Sequence, residues 1–466
     1  MSRPRVAVVG GGLAGLASAV ALCDAPCDVH LFEARRQLGG RAGSFRDSAT
    51  GALVDFCQHV SMGCCTNLAE FCRRTNIDRY FQRERTLYFV GPNGVVTELS
   101  GSRWLPAPFH LASLLMRLTF LPLRDRLRVA KCLLALARAR FDQDQEPTML
   151  CWLQDNGQSQ VAIARFWATV LVSALGDTLD RVSLSAGRKV FVDGFMRNRA
   201  GYEVIIPTLP LSKLFNEQVG DYLSARGVLL HLGVGVKNIR QSSDTFLLDA
   251  GNEISLPFDH VIIAVPWRQV SDVTAASLHP ALPFLATLEQ FESSPITGIH
   301  LWFDRPITSL PHAVIVDRLS QWLFNRGHAR LEDGRDAHYY QVVISASRVL
   351  ANRDRSEAIR QIHEDLASLW PAAKQATILQ AKIVTEHHAV FTPAPNLDHL
   401  RPTTMTDVNS LFLAGDWTKT NWPATMEGAV RSGFSAAEAA LAAMGTPRKL
   451  VVEDLPTSPL TRWLTR

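Results

Sequence analysis

The chain has 466 residues, of which 47% are hydrophobic and 20% charged, and its formal net charge is +4. This length permits two or three domains around a large core, and the balance is that of a soluble globular enzyme. Mild basicity without a concentrated basic arm argues against nucleic acid as a partner and leaves open attraction to an anionic surface.

The start, "MSRPRVAVVGGG", passes from a short polar stretch straight into a strand-like run, so no secretory leader is expected. The most apolar segment, "FHLASLLMRLTFLPLRDRL", is broken by Arg117, Pro122 and Arg124. A spanning helix needs about 20 mostly apolar residues, so none is expected. All eight cysteines precede residue 152. Cys57, His59, Cys64, Cys65 and Cys72 cluster without the paired spacing of a zinc site, which predicts reduced thiols, no metal and a cytoplasmic location.

The run "RVAVVGGGLAGLASAVALCDAPCDVHLFEA" predicts a strand at Val6–Val9, a glycine turn, a helix from Leu13 and a second strand ending at Glu33. Gly10, Gly12 and Gly15 form G-x-G-x-x-G. The first permits the tight turn, the second lets backbone N–H groups approach a pyrophosphate, and the third lets the helix pack closely on the sheet. Glu33 stands about 20 residues further on, where a carboxylate binds ribose hydroxyls and repels a 2′-phosphate. The fold class this predicts is α/β, with a Rossmann-type dinucleotide-binding domain.

Next comes "RRQLGGRAGSF". Gly39, Gly40 and Arg41 resemble the G-G-R element of FAD-dependent amine oxidases and carotene desaturases, in which the arginine lies along the FAD pyrophosphate. Near the C-terminus, "FLAGDW" with Gly415 and Asp416, then "PATMEGAVRSG", resemble the same families' closing motif. The resemblance implies that Asp416 holds the ribityl chain and that the helix beginning near Met426 points its N-terminus at the flavin. A stripe of small residues, Ala429, Ser432, Gly433, Ala436, Ala437 and Ala440, predicts a close approach to another helix. In mid-chain, "VLLHLGVGVKNIR" and "FDHVIIAVPW" resemble the pieces that complete this FAD domain, with Val236 at the adenine and Ala264, Val265 and Pro266 beside the cofactor. Leu13, Ala14, Ala34, Ala424 and Thr425 flank these motifs and join the implied FAD set. No Cys or His sits in an attachment motif, so the FAD is expected to be non-covalent.

These pieces imply a discontinuous FAD-binding domain over 1–85, 205–266 and 402–446. An interleaved α+β substrate domain takes 86–204 and 267–401, and a peripheral tail 447–466. Within the substrate domain, 103–200 reads as mainly helical, 295–347 as strands and 353–370 as an amphipathic helix. From Trp104 to Arg140, Leu, Phe and Met interleave with arginines and Lys131. That pattern fits either a helix lying on a membrane face or a buried helix pair with a solvated basic side.

The most distinctive stretch is "GALVDFCQHVSMGCCTNL". Asp55, Gln58, His59 and Gly63 resemble the matching stretch of bacterial hydroxysqualene dehydroxylases, once described as squalene-associated desaturases; Cys57 stands where that family has glycine. "ITGIHLWFDRPI", "VVISAS" and Arg401-Pro402 fit the same family. The resemblance implies reductive removal of an allylic hydroxyl from a C30 isoprenoid, giving squalene for hopanoid or sterol synthesis. It also implies a lipid-soluble substrate, peripheral contact with the inner membrane face, and association with upstream squalene-pathway enzymes. It places Gln58 and His59 at the flavin. His59 is the candidate to protonate or hydrogen-bond the departing hydroxyl, with Asp55 holding its imidazole. The alternative is that His59 only bonds its own loop while Asp55 caps a turn. Other readings of the chain are a carotenoid desaturase, an amine oxidase with Trp417 and Trp422 as its aromatics, and a flavin-binding partner of a condensing enzyme without turnover of its own.

Overall fold

In the computed structural model, residues 3–48, 50–140, 145–251 and 257–465 are described. The fingerprint folds as its pattern predicts. Arg5–Val9 is the central strand of a five-stranded parallel sheet whose order is Leu229–Leu232, Asp28–Glu33, Arg5–Val9, His260–Ile263, Leu411–Leu413. Its strands come from the N-terminus, the middle and the C-terminal region of the chain. Near-continuous apolar runs such as Val6–Val9 suit this position, because both faces are covered.

The helix Leu13–Leu22 is buried along its whole length. The sheet covers one side, and the C-terminal helix Met426–Ala443 the other. The small-residue stripe makes that contact. A Cβ on Gly433 would lie 2.2 Å from the Ala14 carbonyl oxygen and 2.8 Å from Ala17 Cβ. The Ser18 hydroxyl donates to the Gly433 carbonyl at 3.0 Å. Backbone meets backbone here, which only small residues allow.

A second sheet of seven strands runs Ile378–Phe391, Ser293–Phe303, Asp336–Ser345, Trp322–Arg330, His312–Ile315, Thr86–Val90, Val96–Ser100. Ile299, Leu301, Val342 and Ile344 pack on the helix Arg355–Leu369. By alternation, the register partners Gly298, His300 and Trp302, with Tyr339 and Gln341, occupy the opposite face. A Cβ on Gly298 would lie 2.7 Å from the Phe56 carbonyl oxygen, so the loop after Asp55 rests directly on this face. Helices between 123 and 196 pack beside it around Trp167, Leu171, Phe191 and Val192.

Three features differ from expectation or extend it. The long strand Ile378–Phe391 lies outside the predicted strands, because Lys382, Glu386, His387 and His388 interrupt any period-two pattern at this half-buried sheet edge. The tail is anchored: Leu450 is buried, the N–H groups of Leu450 and Val451 donate to Glu438, and Val452 N–H donates to Asn67. Between Trp104 and Arg140 the buried-pair alternative accounts for only part of the surface. No residue of the short helix Ala112–Arg117 is buried, and Leu123, Leu127 and Leu134 are exposed along the helix Leu123–Arg138. Among the described residues no helix is long and apolar enough to cross a membrane.

Candidate FAD site and its substrate side

Two glycine loops interlock at the head of the parallel sheet. Gly10 has φ +114°, and a Cβ there would lie 2.6 Å from the Ala264 carbonyl oxygen. Gly15 is packed as tightly, with a Cβ position 1.8 Å from the Gly10 oxygen. Gly12 is the opposite case: a Cβ would meet nothing within 4 Å. The turn is therefore closed by its first and third glycines and open at the second, at the N-terminus of the helix Leu13–Leu22. Gly39 N–H donates to the Gly11 carbonyl at 2.8 Å, and a Cβ on Gly40 would lie 3.1 Å from Gly12 Cα. The G-G-R element thus lies against the fingerprint.

Glu33 is tied at both carboxylate oxygens, accepting from Gly11 N–H at 2.7 Å and from Arg35 N–H at 2.8 Å. The segment after Leu232 folds against it: Val234 N–H donates to the Glu33 carbonyl, and Gly235 packs on Ala34. Val236 is buried beside Val9 and Phe32.

Arg41 reaches across to the C-terminal motif. Its Nη2 is 2.8 Å from Asp416 Oδ1, and its Nη1 donates to the Ala389 carbonyl at 2.6 Å. Gly415 N–H donates to Ser432 Oγ at 2.7 Å. Arg401 holds the turn that follows. Its buried guanidinium donates to the carbonyls of Asp416, Trp417 and Thr418, to Thr420 Oγ1 and to Asp398. Thr425 is the N-cap of the helix Met426–Ala443, with its hydroxyl accepting from Gly428 N–H at 3.1 Å. Ala424 and Ala429 are buried beside this cap. Glu427 turns away and is fully buried, accepting from the N–H groups of Asn67 and Leu68 at the start of the helix Thr66–Arg74. A carboxylate at a helix N-terminus is favoured by the unpaired N–H groups there.

In the loop 55–59, Asp55 and His59 are hydrogen-bonded to different partners. Asp55 makes no hydrogen bond to His59. Its Oδ1 accepts from Ser44 Oγ at 2.6 Å and from Leu211 N–H at 2.8 Å, pinning the loop to the segment after Pro207. Burial pushes its carboxyl above the usual range, against those two bonds. Asp55 is therefore a structural tie through Oδ1, and it reaches the imidazole through its charge, which favours the protonated ring. His59 Nδ1 lies 2.9 Å from the Cys57 carbonyl. A carbonyl only accepts, so Nδ1 carries the hydrogen and the lone pair is on Nε2. Burial holds the imidazole below its ordinary 6.5, against the Cys57 carbonyl bond and the Asp55 charge, which favour the protonated ring, and with the Arg41 charge adding to the lowering. The lowering favours the uncharged ring.

Cys57 is not among the residues with positive φ. The loop needs no glycine there; the glycine it needs is Gly298, on the sheet beneath. Gln58 donates from Nε2 to the His59 carbonyl, while its buried Oε1 has no partner. Gln341 is 1% exposed, with neither amide atom partnered. A Cβ on Gly298 would be 3.5 Å from both Gln341 Nε2 and Cys57 Cα, so this amide adjoins the same loop. Neither Gln341 nor Gly298 is legible as a site residue: one is a lone polar residue in an apolar strand, the other a lone glycine in another.

Trp417 is fully buried and donates from Nε1 to the Val265 carbonyl at 3.0 Å. Trp422 is buried between Lys189 and Arg431 and bonds Asp454. Neither ring is free to cage an amine.

An open cradle at Gly12, a carboxylate past the second strand, a paired Arg41 and Asp416, and an unpartnered Gln58 Oε1 fit FAD. A sequence profile described as flavin containing amine oxidoreductase matches residues 13–441. The chain belongs to the flavin containing amine oxidoreductase family and is an FAD-dependent oxidoreductase. It is 30% identical over 449 residues to a hydroxysqualene dehydroxylase of Sinorhizobium fredii, covering 95% of this chain and 99% of that one. A hydroxysqualene dehydroxylase of Zymomonas mobilis is 26% identical over 93% of this chain and 98% of its own. The zeta-carotene desaturase of Zea mays is 24% identical, over 92% of this chain and 82% of its own. Among solved structures, cyclohexylamine oxidase from Brevibacterium oxydans aligns with a TM-score of 0.70 at 18% identity, covering 95% of this chain and all of that one, which is a likeness of fold.

Proposed function

We propose that the chain catalyses reductive dehydroxylation of hydroxysqualene to squalene. The observation that carries this reading is the loop 55–59. It brings His59 into the charge field of Arg41, which is paired with Asp416, and it lies on the sheet face that carries Gln341. The sequence likeness to hydroxysqualene dehydroxylases over nearly the whole chain supports it.

In the proposed reaction a C–O bond breaks, the oxygen leaves as water after gaining one proton, and the carbon takes a hydride. Bound in its reduced form, FAD supplies that hydride. Gly12, Glu33, Arg41 and Asp416 would hold it, with the helix N-termini at Leu13 and Met426 facing its anionic parts. The protein's own task is the leaving hydroxyl. His59 presents Nε2, which accepts a hydrogen bond from the hydroxyl when the ring is neutral and donates a proton when it is charged. Its depressed basicity makes the charged ring a stronger acid. Gln341 offers an amide donor and acceptor with no other partner, suited to orienting a hydroxyl in an otherwise apolar setting.

Its substrate is lipid-soluble, and we assign membrane contact to the exposed apolar and basic face from Trp104 to Arg138. Leu123, Leu127, Lys131, Leu134 and Arg138 recur there at helical spacing, none of them buried. Leucines with basic residues between them suit the boundary between acyl chains and headgroups.

The test is turnover by purified enzyme. Dithionite-reduced protein is mixed with hydroxysqualene under nitrogen and the lipid products are identified by mass. Squalene is expected. Consumption of a carotene precursor by oxidised protein, with hydroxysqualene untouched, would favour a desaturase.

A further inference from the structure

A cavity of about 580 Å³, lined by none of the cradle residues, lies between the strands Thr86–Val90 and Val96–Ser100 and the turn before Val204. Arg85, Arg103 and Arg199 line it. Its one carboxylate, Glu203, is neutralised by Arg83 at 2.6 Å and Arg85 at 3.4 Å. Arg199 is held in place by donating to the carbonyls of Ser102 and Arg103. The cavity is therefore cationic, which favours an anion over a metal ion.

His110 lines the same cavity and is 1% exposed, and neither ring nitrogen makes a well-formed hydrogen bond, the Pro108 backbone giving only a weak contact. Burial first, and the Arg199 charge second, push its basicity down to about 4, against the weak Pro108 backbone contact. A neutral imidazole carries one N–H, and burying that donor without a good acceptor is costly. An oxyanion in the cavity would accept from it and from the guanidinium groups together.

The cavity's neighbours in sequence are exposed apolar side chains. Trp104, next to Arg103, is 93% exposed, and Leu105 follows it. Phe109, next to His110, is exposed as well. These residues continue into the face that carries Met116, Leu123 and Leu127. An anion site thus opens among side chains suited to acyl chains.

We propose that this cavity binds the phosphate of an anionic phospholipid headgroup. The lipid's chains would lie against Trp104 and Phe109. Arg85, Arg103 and Arg199 neutralise the phosphate, with His110 donating to one of its oxygens. The proposal rests on the membrane contact assigned above, and the experiment separates the two.

FAD-loaded enzyme is floated with vesicles of phosphatidylcholine alone, or with about one-third phosphatidylglycerol. The variants are Arg85→Gln with Arg103→Gln, a control pair Arg117→Gln with Arg124→Gln, and Trp104→Ser. Each removed charge weakens binding to anionic vesicles somewhat, so the control measures the diffuse effect. Wild type is expected to prefer the anionic vesicles by about tenfold or more, and the cavity pair to lose about tenfold more of that preference than the control pair. Trp104→Ser should weaken binding to both vesicle types alike. Equal losses in the two pairs overturn the headgroup site while leaving the membrane contact standing. No flotation of wild type with either vesicle overturns the membrane contact and the site with it. Saturable binding of inorganic phosphate that shifts the His110 nitrogen resonances, alongside vesicle binding indifferent to the cavity pair, would make this a free-anion site and also overturn the proposal.

Discussion

Arg41 Nη2 and Asp416 Oδ1 lie 2.8 Å apart, although 375 residues separate them along the chain. The pair closes the FAD cradle by joining the first glycine loops to the last strand of the parallel sheet. Charge-assisted hydrogen bonds of this kind are worth about 1.5–3 kcal/mol each. Arg41→Ala should therefore weaken FAD binding by about tenfold to a hundredfold, measured by equilibrium dialysis of refolded apoprotein. Arg41→Lys should recover only part of the loss, since a point charge cannot serve Asp416, the Ala389 carbonyl and a phosphate with one fork. Wild-type affinity in Arg41→Ala would remove this pair from the cofactor site.

The helix crossing at Gly433 makes a separate prediction. A methyl group there must displace the Ala14 carbonyl, which lies at the start of the helix whose N-terminus would face the pyrophosphate of bound FAD. Gly433→Ala should cost about 1–3 kcal/mol of stability and lower FAD retention together. Thermal unfolding followed by flavin fluorescence reads both. A change in stability with unchanged FAD affinity would separate the crossing from the cradle.

Much of this cradle was legible because its parts are local. The fingerprint, Glu33, the G-G-R element and the Gly-Asp turn are each short runs whose spacing carries their chemistry, and the small-residue stripe announced a close helix contact. The substrate side was less legible because it depends on sheet register. Gly298 matters only because Phe56 lies over it, and Gln341 only because its strand neighbours and the loop leave its amide unpartnered. The bonds of Asp55 depend on the fold in the same way. Only Phe56 separates it from Cys57, whose carbonyl bonds His59, yet its own bonds go to Ser44 and Leu211.

Gly298→Ala tests the register argument. The added methyl meets the Phe56 backbone at 2.7 Å, so the loop must lift. FAD binding should persist, while turnover falls by about tenfold or more through misplacement of His59. Unchanged turnover would mean that the loop's height above the sheet is unimportant to the reaction.

Asp177 is expected to contribute to acid stability. Fully buried, it bonds Arg348 through both oxygens at 2.5 and 2.9 Å, accepts from Thr392, and joins the helical segment to the seven-stranded sheet. Burial opposes its charge, but the Arg348 and Thr392 bonds prevail and hold its carboxyl below the usual range. A carboxylate depressed in the folded state stabilises above its unfolded value and loses that stabilisation as pH falls through the folded one. Asp177→Asn should therefore cost about 2–3 kcal/mol at neutral pH and flatten the loss of stability below about pH 4. Urea midpoints across that range check it. An unchanged acid slope would assign the acid lability to other carboxylates.

In the proposed reaction, His59 is expected to set the pH dependence of turnover. If its charged form protonates the leaving hydroxyl, the rate should rise as pH falls toward its depressed value, below 6.5. His59→Gln should lower dehydroxylation by about a hundredfold and abolish that rise, with FAD content unchanged. A full rate with intact FAD would leave a bound water as the proton's route, with the Gln341 amide at most hydrogen-bonding the hydroxyl.

The most direct measurement is a single turnover in heavy water. Enzyme reduced under nitrogen in deuterium oxide carries exchangeable deuterium at the flavin position that gives up hydride. It is mixed with hydroxysqualene while flavin absorbance is followed, and the lipid is then examined by mass and NMR. The account predicts flavin reoxidation in step with squalene formation, with deuterium on the carbon that bore the hydroxyl. Persistence of the reduced flavin, or squalene without deuterium at that carbon, would contradict it.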